Sequence, residues 1–273
     1  IYRLASDSRI ADALHRAAEN GKHVSVLFEV KARFDEENNI KEAKRLQAAG
    51  CFIIYGMGSL KTHSKLAMII RKDDDGIRRY VHMASGNYNE KTSKLYSDIS
   101  FFTTKEGYAH DVSEFFNVIT GHSAPPKYQY LITAPREMRD TLTELVMREA
   151  ENLKAGKKAG IVIKINSLQD DKFIDVLYKA SQAGVPIKLI VRGICSLRPS
   201  RVGLSENIEV RSIVGDYLEH TRLFYFHNDG DSVIYGGSAD AMVRSFDRRV
   251  ESMFSIEEEA LKKEGMHILA ANM

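Results

Sequence analysis

Two short runs in this chain carry the residue types needed to handle phosphorus. His63-Ser64-Lys65 and His220-Thr221-Arg222 each set an imidazole two residues before a cation. In extended backbone, residues i and i+2 share a face, so each histidine is expected to point the same way as its cation. A neutral imidazole can attack phosphorus, and a second can protonate the leaving oxygen. Cations hold the non-bridging oxygens and the charge that grows on them. A single histidine at the start of a strand is ordinarily structural. Two in matching contexts point to one shared site at a pseudo-twofold interface.

The contexts match because the two halves of the chain resemble each other. LHRAAENGKHVSVLFEVK parallels LYKASQAGVPIKLIVRG: a helix end, a glycine, a strand, then a basic residue. CFIIYGMGSLKTHSKLAMIIRK parallels IEVRSIVGDYLEHTRLFYFHND, which sets His63 on His220 and Lys65 on Arg222. Gly86-Asn87-Tyr88-Asn89 then parallels Gly237-Ser238-Ala239-Asp240. Chance likeness between two α/β halves can match strands, but it is less apt to match both of these polar signatures.

Other residues carry weaker signals. Asp98 can orient a histidine through its ring N–H, or it can be a strand-edge carboxylate, and the sequence does not choose. His82 sits between apolar neighbours in YVHMAS and reads as core packing. Gly56 to Thr62 has some look of a nucleotide loop but has Leu60 where the second glycine is needed, and extended chain follows instead of a helix. Among the basic residues near the motifs, Arg192 and Arg244 stand out, because apolar strands or motif residues precede them.

The elements that must position these residues alternate between helix and strand. Helical periodicity covers 8–20 and 36–49, closed by Gly21 and Gly50. Apolar strands are expected at 24–30 and 51–55, then a hairpin around an Asp-Gly turn, a strand at 99–103 and a helix over 106–120. SAPPKYQ at 123–129 is the best linker. The second half repeats the grammar: helix 136–154, strand 161–165, helix 171–183, strand 187–191, strand 207–214, hairpin 223–235, strand 251–256 and a last helix. This order gives an α/β class with a mixed sheet flanked by helices in each half. Of the 273 residues 44% are apolar, enough for a real core, and the net charge of +2 requires any basic site to be local. Cys51 and Cys195 lack metal-ligand spacing and read as buried core thiols of a reducing cytoplasm. No run is long enough to span a membrane. The start at Ile1, with helix signals by Ser6, reads as a fragment of something longer.

LKTHSKL, YVHMASGNYNEKTSKLYSDIS, VRGICSLRP and YLEHTRLFYF together resemble the bacterial, phosphohistidine type of polyphosphate kinase, over essentially the whole chain. The resemblance implies two phospholipase D-like domains, drawn here as 1–128 and 129–273, with the family's N-terminal and head domains absent. It implies reversible transfer of the ATP γ-phosphate to inorganic polyphosphate, with His63 phosphorylated and His220 as the second catalytic histidine. Nucleotide contacts fall on Tyr96, Arg192 and His220. Magnesium-site assignments fall on Arg3 in YRLAS and Arg33 in VKARFDE. Arginine has no lone pair to give a cation, so these two are read as holding phosphate oxygens that also bind the metal. ATP, ADP and polyphosphate are the implied partners, not nucleic acid. A homo-oligomer is implied for the full-length enzyme, in the cytoplasm, with peripheral association at the inner membrane face left open.

The second unit departs from the phospholipase D pattern, with Arg222 in place of lysine and Asp240 in place of asparagine, which argues against a plain phosphodiesterase. A phosphodiesterase or transphosphatidylase of that class is the competing enzyme. A polyphosphate-binding module without turnover is the competing non-enzyme. The expected geometry is a single pocket in which Lys65, Arg222, Arg192, Arg244 and Arg3 surround the two histidines.

Overall fold

The structure is a computed structural model that describes residues 1–5, 7–29, 36–56, 58, 60–121 and 127–273. The first half runs α1 (Arg9–Glu19), β1 (Ser25–Phe28), α2 (Glu36–Ala48), β2 (Phe52–Tyr55), β3 (Lys61–Thr62), β4 (Leu66–Asp73), β5 (Gly76–Ala84), β6 (Tyr96–Ser97), β7 (Ser100–Thr103) and α3 (Glu106–Ile119). The second runs β8 (Leu131–Ala134), α4 (Met138–Lys154), β9 (Ile161–Ile165), α5 (Asp171–Gln182), β10 (Ile187–Val191), β11 (Ile208–Arg211), β12 (Leu218–Glu219), β13 (Leu223–Phe226), β14 (Val233–Gly237), α6 (Val243–Asp247), β15 (Arg249–Ser255) and α7 (Glu259–Ala270).

Local chemistry sets many of these boundaries. The Ser8 hydroxyl caps α1 by accepting from the Ala11 N–H, and the Asp170 carboxylate caps α5 by accepting from Phe173. Gly21 and Gly50 follow α1 and α2 with φ of 73° and 95°, the left-handed conformation that ends a helix at least cost in glycine. The β4–β5 hairpin closes around Asp74-Asp75, with Gly76 at φ 130° opening the second strand.

The main sheet has the order β11-β10-β9-β13-β14-β15-β3, with β8 also pairing β15. It is mixed: β9, β10 and β11 run parallel, while β13, β14 and β15 pair antiparallel. Helices α4 and α5 pack on it through an apolar core that includes Leu142, Val146, Phe173, Leu177 and Phe224. The described strands of the first half do not form the single mixed sheet expected there. They make a parallel pair, β1–β2, and an antiparallel trio, β4-β5-β7, because the intervening β3 pairs instead with β15 of the second half. Strand β8 was not expected from sequence at all; four buried residues ahead of a proline give too short a period to read.

The halves share a core. One apolar cluster joins Met83, Val112 and Phe115 of the first half to Leu223, Ile234, Val250 and Phe254 of the second. The buried Asp111 carboxylate in α3 accepts from three successive backbone N–H groups, at Gln129, Tyr130 and Leu131 (2.9, 2.6 and 3.1 Å). It thereby fixes the chain where the second half begins. Most of the proposed linker, including Pro125 and Pro126, lies outside the described residues.

Candidate active site

Each motif histidine is delivered by a two-residue strand that crosses to the other half. Strand β3 pairs parallel with β15, Lys61 against Arg249 and Thr62 against Val250, and the His63 N–H continues the ladder to the Val250 carbonyl at 2.8 Å. Strand β12 pairs parallel with β6, Leu218 against Tyr96 and Glu219 against Ser97, and the His220 N–H reaches the Ser97 carbonyl at 3.1 Å. One step further along each ladder a carboxylate meets the imidazole. His63 Nδ1 lies 2.8 Å from Glu251 Oε2, and His220 Nδ1 lies 2.7 Å from Asp98 Oδ1. Each half therefore holds the other half's histidine.

This pairing decides what each ring can do. An ionised carboxylate only accepts hydrogen bonds. It keeps the proton on Nδ1 and leaves the Nε2 lone pair free to attack. Burial, then the charges of Lys65, Arg249 and Arg222, hold His63 well below the ordinary histidine range. The ring is therefore neutral, and it donates to Glu251 where that carboxylate is ionised. Burial and then Arg222 push His220 down to about 4 against the pull of Asp98. Lys65 and Arg222 act on both imidazoles, which puts the two rings in one electrostatic site. Serines complete each dyad: Ser85 donates to Asp98 Oδ1 at 2.7 Å, and Ser238 donates to Glu251 Oε2 at 2.5 Å.

The cations are as buried as the rings. Lys65 Nζ donates to the His63 carbonyl, and Arg222 Nη1 donates to the His220 carbonyl at 2.7 Å, so both motifs fold back on themselves alike. Arg222 also directs Nε and Nη2 at Asp240 (3.2 and 3.3 Å). Burial lowers Lys65 to about 7 and raises Glu251 to about 7. At pH 8 the ligand-free site thus holds a largely neutral Lys65 and a neutral His220. A bound polyanion favours the charged form of both, so binding should take up protons and weaken as pH rises through 7 to 9. Calorimetry of long-chain polyphosphate binding at pH 8, in buffers of different ionisation enthalpy, should show net uptake. Net release would contradict these assignments.

Tyr96 packs on His220 and Tyr2 packs edge-on against His63, with ring centroids 5.0 Å apart in each pair. Arg3, Lys61 and Lys65 stand over the Tyr2 ring at 5.3–5.4 Å, which brings Arg3 to the His63 side of the site. Arg192 donates from Nε to Asn166 Oδ1 at 2.9 Å and acts on Glu219, the residue before His220. Arg33 lies outside the described residues. Arg244 is not among the charges that act most strongly on either imidazole. It is exposed and lines a surface hollow of about 310 Å³ with Gln169, Met242, Val243 and Arg248. Arg249, on strand β15, lies 3.8 Å from Glu251 Oε1, and its charge acts on His63. His82 is not in the core as expected: it is half-buried on the outer face of β5, beside the exposed Phe102, with Nδ1 2.8 Å from the Tyr88 hydroxyl. Cys51 is buried as expected, but Cys195 is only half-buried, since it lies past the end of β10 where the sheet opens to loops. Asn89 departs from its counterpart: it caps the turn at Lys91 and Thr92, whereas Asp240 holds Arg222.

Glu251, Ser85 and Tyr2 escaped the sequence reading, whereas Ser238 stood in the repeat match and Arg249 among the basic residues near the motifs, neither with a role. The one available signal was Glu251 itself, a carboxylate inside an otherwise apolar strand. The two motif glycines are also explained. A Cβ on Gly237 would lie 2.5 Å from the Ser252 carbonyl oxygen, and one on Gly86 would lie 2.5 Å from Asp98 Oδ2 and 2.6 Å from its Cγ. Gly86→Ala must therefore push Asp98 off His220, and misplacement on that scale costs about 100-fold in turnover. Unchanged steady-state kinetics in this variant would show that the Asp98 contact is not used.

Residues 1–125 match the family model of polyphosphate kinase C-terminal domain 1, and residues 131–273 match that of C-terminal domain 2. The chain is 48% identical over 273 residues to a polyphosphate kinase of Halalkalibacterium halodurans, covering all of this chain and 39% of that protein. It is 50% identical over 269 residues to one from Synechocystis, covering 98% of this chain and 37% of that protein. Its structure is similar to the crystal structure of polyphosphate kinase from Porphyromonas gingivalis, with a TM-score of 0.88 and 40% identity over 98% of this chain and 44% of that one. A phosphatidylserine synthase of Haemophilus influenzae shares the fold alone, at a TM-score of 0.64 and 12% identity over 94% of this chain and 76% of that one. The fold class is α/β, with a mixed sheet flanked by helices, and the fold is that of the Porphyromonas structure over nearly the whole chain. The chain belongs to the polyphosphate kinase family. It spans less than two fifths of the length of the two curated relatives.

Proposed function

We propose that this chain carries the phosphoryl-transfer site of a polyphosphate kinase, moving the γ-phosphate between ATP and inorganic polyphosphate through a phosphohistidine on His63. The observation that carries the reading is the reciprocal pairing of each imidazole with the other half's carboxylate, His63 with Glu251 and His220 with Asp98. His63 Nε2 forms a bond to the γ-phosphorus as the bond from phosphorus to the ADP oxygen breaks. His220 gives that oxygen a proton once the bound phosphates have raised its proton affinity. In the second step a terminal oxygen of polyphosphate attacks, the N–P bond breaks and His63 is restored. Lys65, Arg222, Arg249 and Arg192 hold non-bridging oxygens or the groups that touch them. Tyr96 offers a face for the nucleotide beside His220.

Among the described residues no group of three His, Cys, Asp or Glu side chains could hold a metal ion. Arginine has no lone pair to give a cation, so Arg3 and Arg33 do not fit a protein-held magnesium, and we derive no step through one. Arg3 and Arg33 are kept as partners of phosphate oxygens, and magnesium arrives with the nucleotide. We retain the division at 128/129 as two catalytic units. No helix among the described residues is long and apolar enough to cross a membrane. A cytoplasmic setting, supplied with ATP, fits the two free thiols, and a homo-oligomer remains the expectation for the complete enzyme.

Arg222→Lys tests this reading by steady-state kinetics with ATP and polyphosphate. Lysine keeps the positive charge beside Asp240, and so avoids the roughly 3–5 kcal/mol cost of stranding a buried partner. It loses the planar fork. The expected result is a fall in kcat larger than the rise in KM, because charge at the transferring group grows in the transition state. A raised KM with kcat unchanged would reduce Arg222 to a binding charge, and no change in either would place it outside the site.

A further inference from the structure

Asn166 follows strand β9 and is tied on three sides. Its backbone N–H donates to Asp240 Oδ1 at 2.8 Å, its backbone carbonyl accepts from the Gly193 N–H at 2.8 Å, and its side-chain Oδ1 accepts from Arg192 Nε at 2.9 Å. Guanidinium nitrogens only donate, so the Arg192 contact fixes which branch of the amide is oxygen. The other branch, Nδ2, is buried and has no hydrogen-bond partner among the described residues. A buried donor without an acceptor is costly, and in a native site it asks for a reason.

The surroundings say what kind of group satisfies it. Nδ2 can only donate, so its partner must be an acceptor. Arg192 stands on one side of Asn166; on the other the Asp240 carboxylate is already taken up by Arg222 and the Asn166 N–H, which leaves Arg192 as the cation that draws an anion here. Asn166 is 5% exposed, against 8% for His63 and 9% for His220, so it is as buried as the imidazoles. A neutral donor beside a guanidinium group adds a hydrogen bond to a phosphate oxygen without adding repulsion between cations.

Resting on the phosphoryl-transfer reading above, we propose that the Asn166 carboxamide is a phosphate-binding group: Nδ2 donates to a non-bridging oxygen of the bound phosphate chain while Oδ1 aligns Arg192 on the same chain. Asn166 thereby links Arg192 to Asp240 and Arg222, and sets the spacing between the cations that meet successive phosphates.

The test is calorimetric binding of inorganic tripolyphosphate to the full chain, wild type beside Asn166→Leu and Asn166→Asp. A hydrogen bond to a charged group is worth about 10- to 100-fold in affinity, and Asn166→Leu should lose that much. Asn166→Asp keeps an acceptor for Arg192 but turns the donor into an anion, so it should bind as weakly as the leucine variant or more weakly. Wild-type affinity in Asn166→Asp, with loss in Asn166→Leu, would show that Asn166 only positions Arg192 and would overturn the proposal. So would wild-type affinity in both. A second measurement needs no variant to fold: the Asn166 side-chain amide ¹⁵N–¹H signals of the wild type should shift saturably with tripolyphosphate, and signals that do not move overturn the assignment. If the wild type fails to bind tripolyphosphate, the phosphate-site reading itself fails and this assignment falls with it.

Discussion

Alanine at position 63 should abolish turnover, whereas alanine at 220 should leave a slow enzyme. The difference follows from where each ring stands. His63 has a neutral imidazole with Nδ1 at Glu251, so in the proposed mechanism Nε2 is the atom that bonds to phosphorus. In the same mechanism His220 is assigned to the leaving oxygen as its proton donor. General acid–base assistance is worth about 100- to 10,000-fold, so His220→Ala should slow both formation and breakdown of the phosphoenzyme by that order. Rapid-quench measurement of the phosphoenzyme separates the two variants. Wild-type turnover in His63→Ala would end the assignment, and equal abolition in both would remove the distinction between nucleophile and acid.

Glu251→Gln is expected to have the next largest effect, although Glu251 never touches the substrate. Its Oε2 accepts from both His63 Nδ1 and the Ser238 hydroxyl. Glutamine can keep that acceptor only by turning its NH2 towards Arg249, which lies on the Oε1 side at 3.8 Å. Turned the other way, the NH2 donates to Nδ1, moves the ring proton to Nε2 and blocks the lone pair. A wrong tautomer of this kind costs up to about 10,000-fold in the analogous histidine–carboxylate dyad of serine proteases. A fall in kcat of about 100- to 10,000-fold is expected, with KM for ATP little changed. Because Glu251 belongs to the second half and His63 to the first, such a fall would also show that the interface between the halves is part of the catalytic apparatus. A loss confined to KM, or a global loss of stability with normal kinetics in the folded fraction, would reduce Glu251 to a structural buried acid.

What could be read from the sequence follows contact distance along the chain. The β4–β5 and β13–β14 hairpins, the helix stops at Gly21 and Gly50, and the α5 cap depend on neighbours within a few residues, and their residue types announce them. The paired histidines and their cations were legible because the motif occurs twice. The crossed strands were not. Lys61–Thr62, Tyr96–Ser97 and Leu218–Glu219 are two residues long, far too short for periodicity, and their partners lie 122 residues away or more. Those ladders choose Glu251 over other acids and Arg249 over Arg244. Glu251 hides in the strand that also supplies Val250, Met253 and Phe254 to the cores, so its neighbours read as packing. Asp98 was legible as a candidate only because it stands in the polar run LYSDIS.

The central claim is a covalent one, and the most direct test is chemical. The protein is mixed with γ-labelled ATP and magnesium, quenched in alkali, digested, and the labelled peptide identified. Acid-labile, alkali-stable phosphate on His63 is the predicted result, discharged by adding either ADP or polyphosphate. Label on His220 instead, acid-stable label on a hydroxyl residue, or full turnover with no labelled intermediate would contradict it.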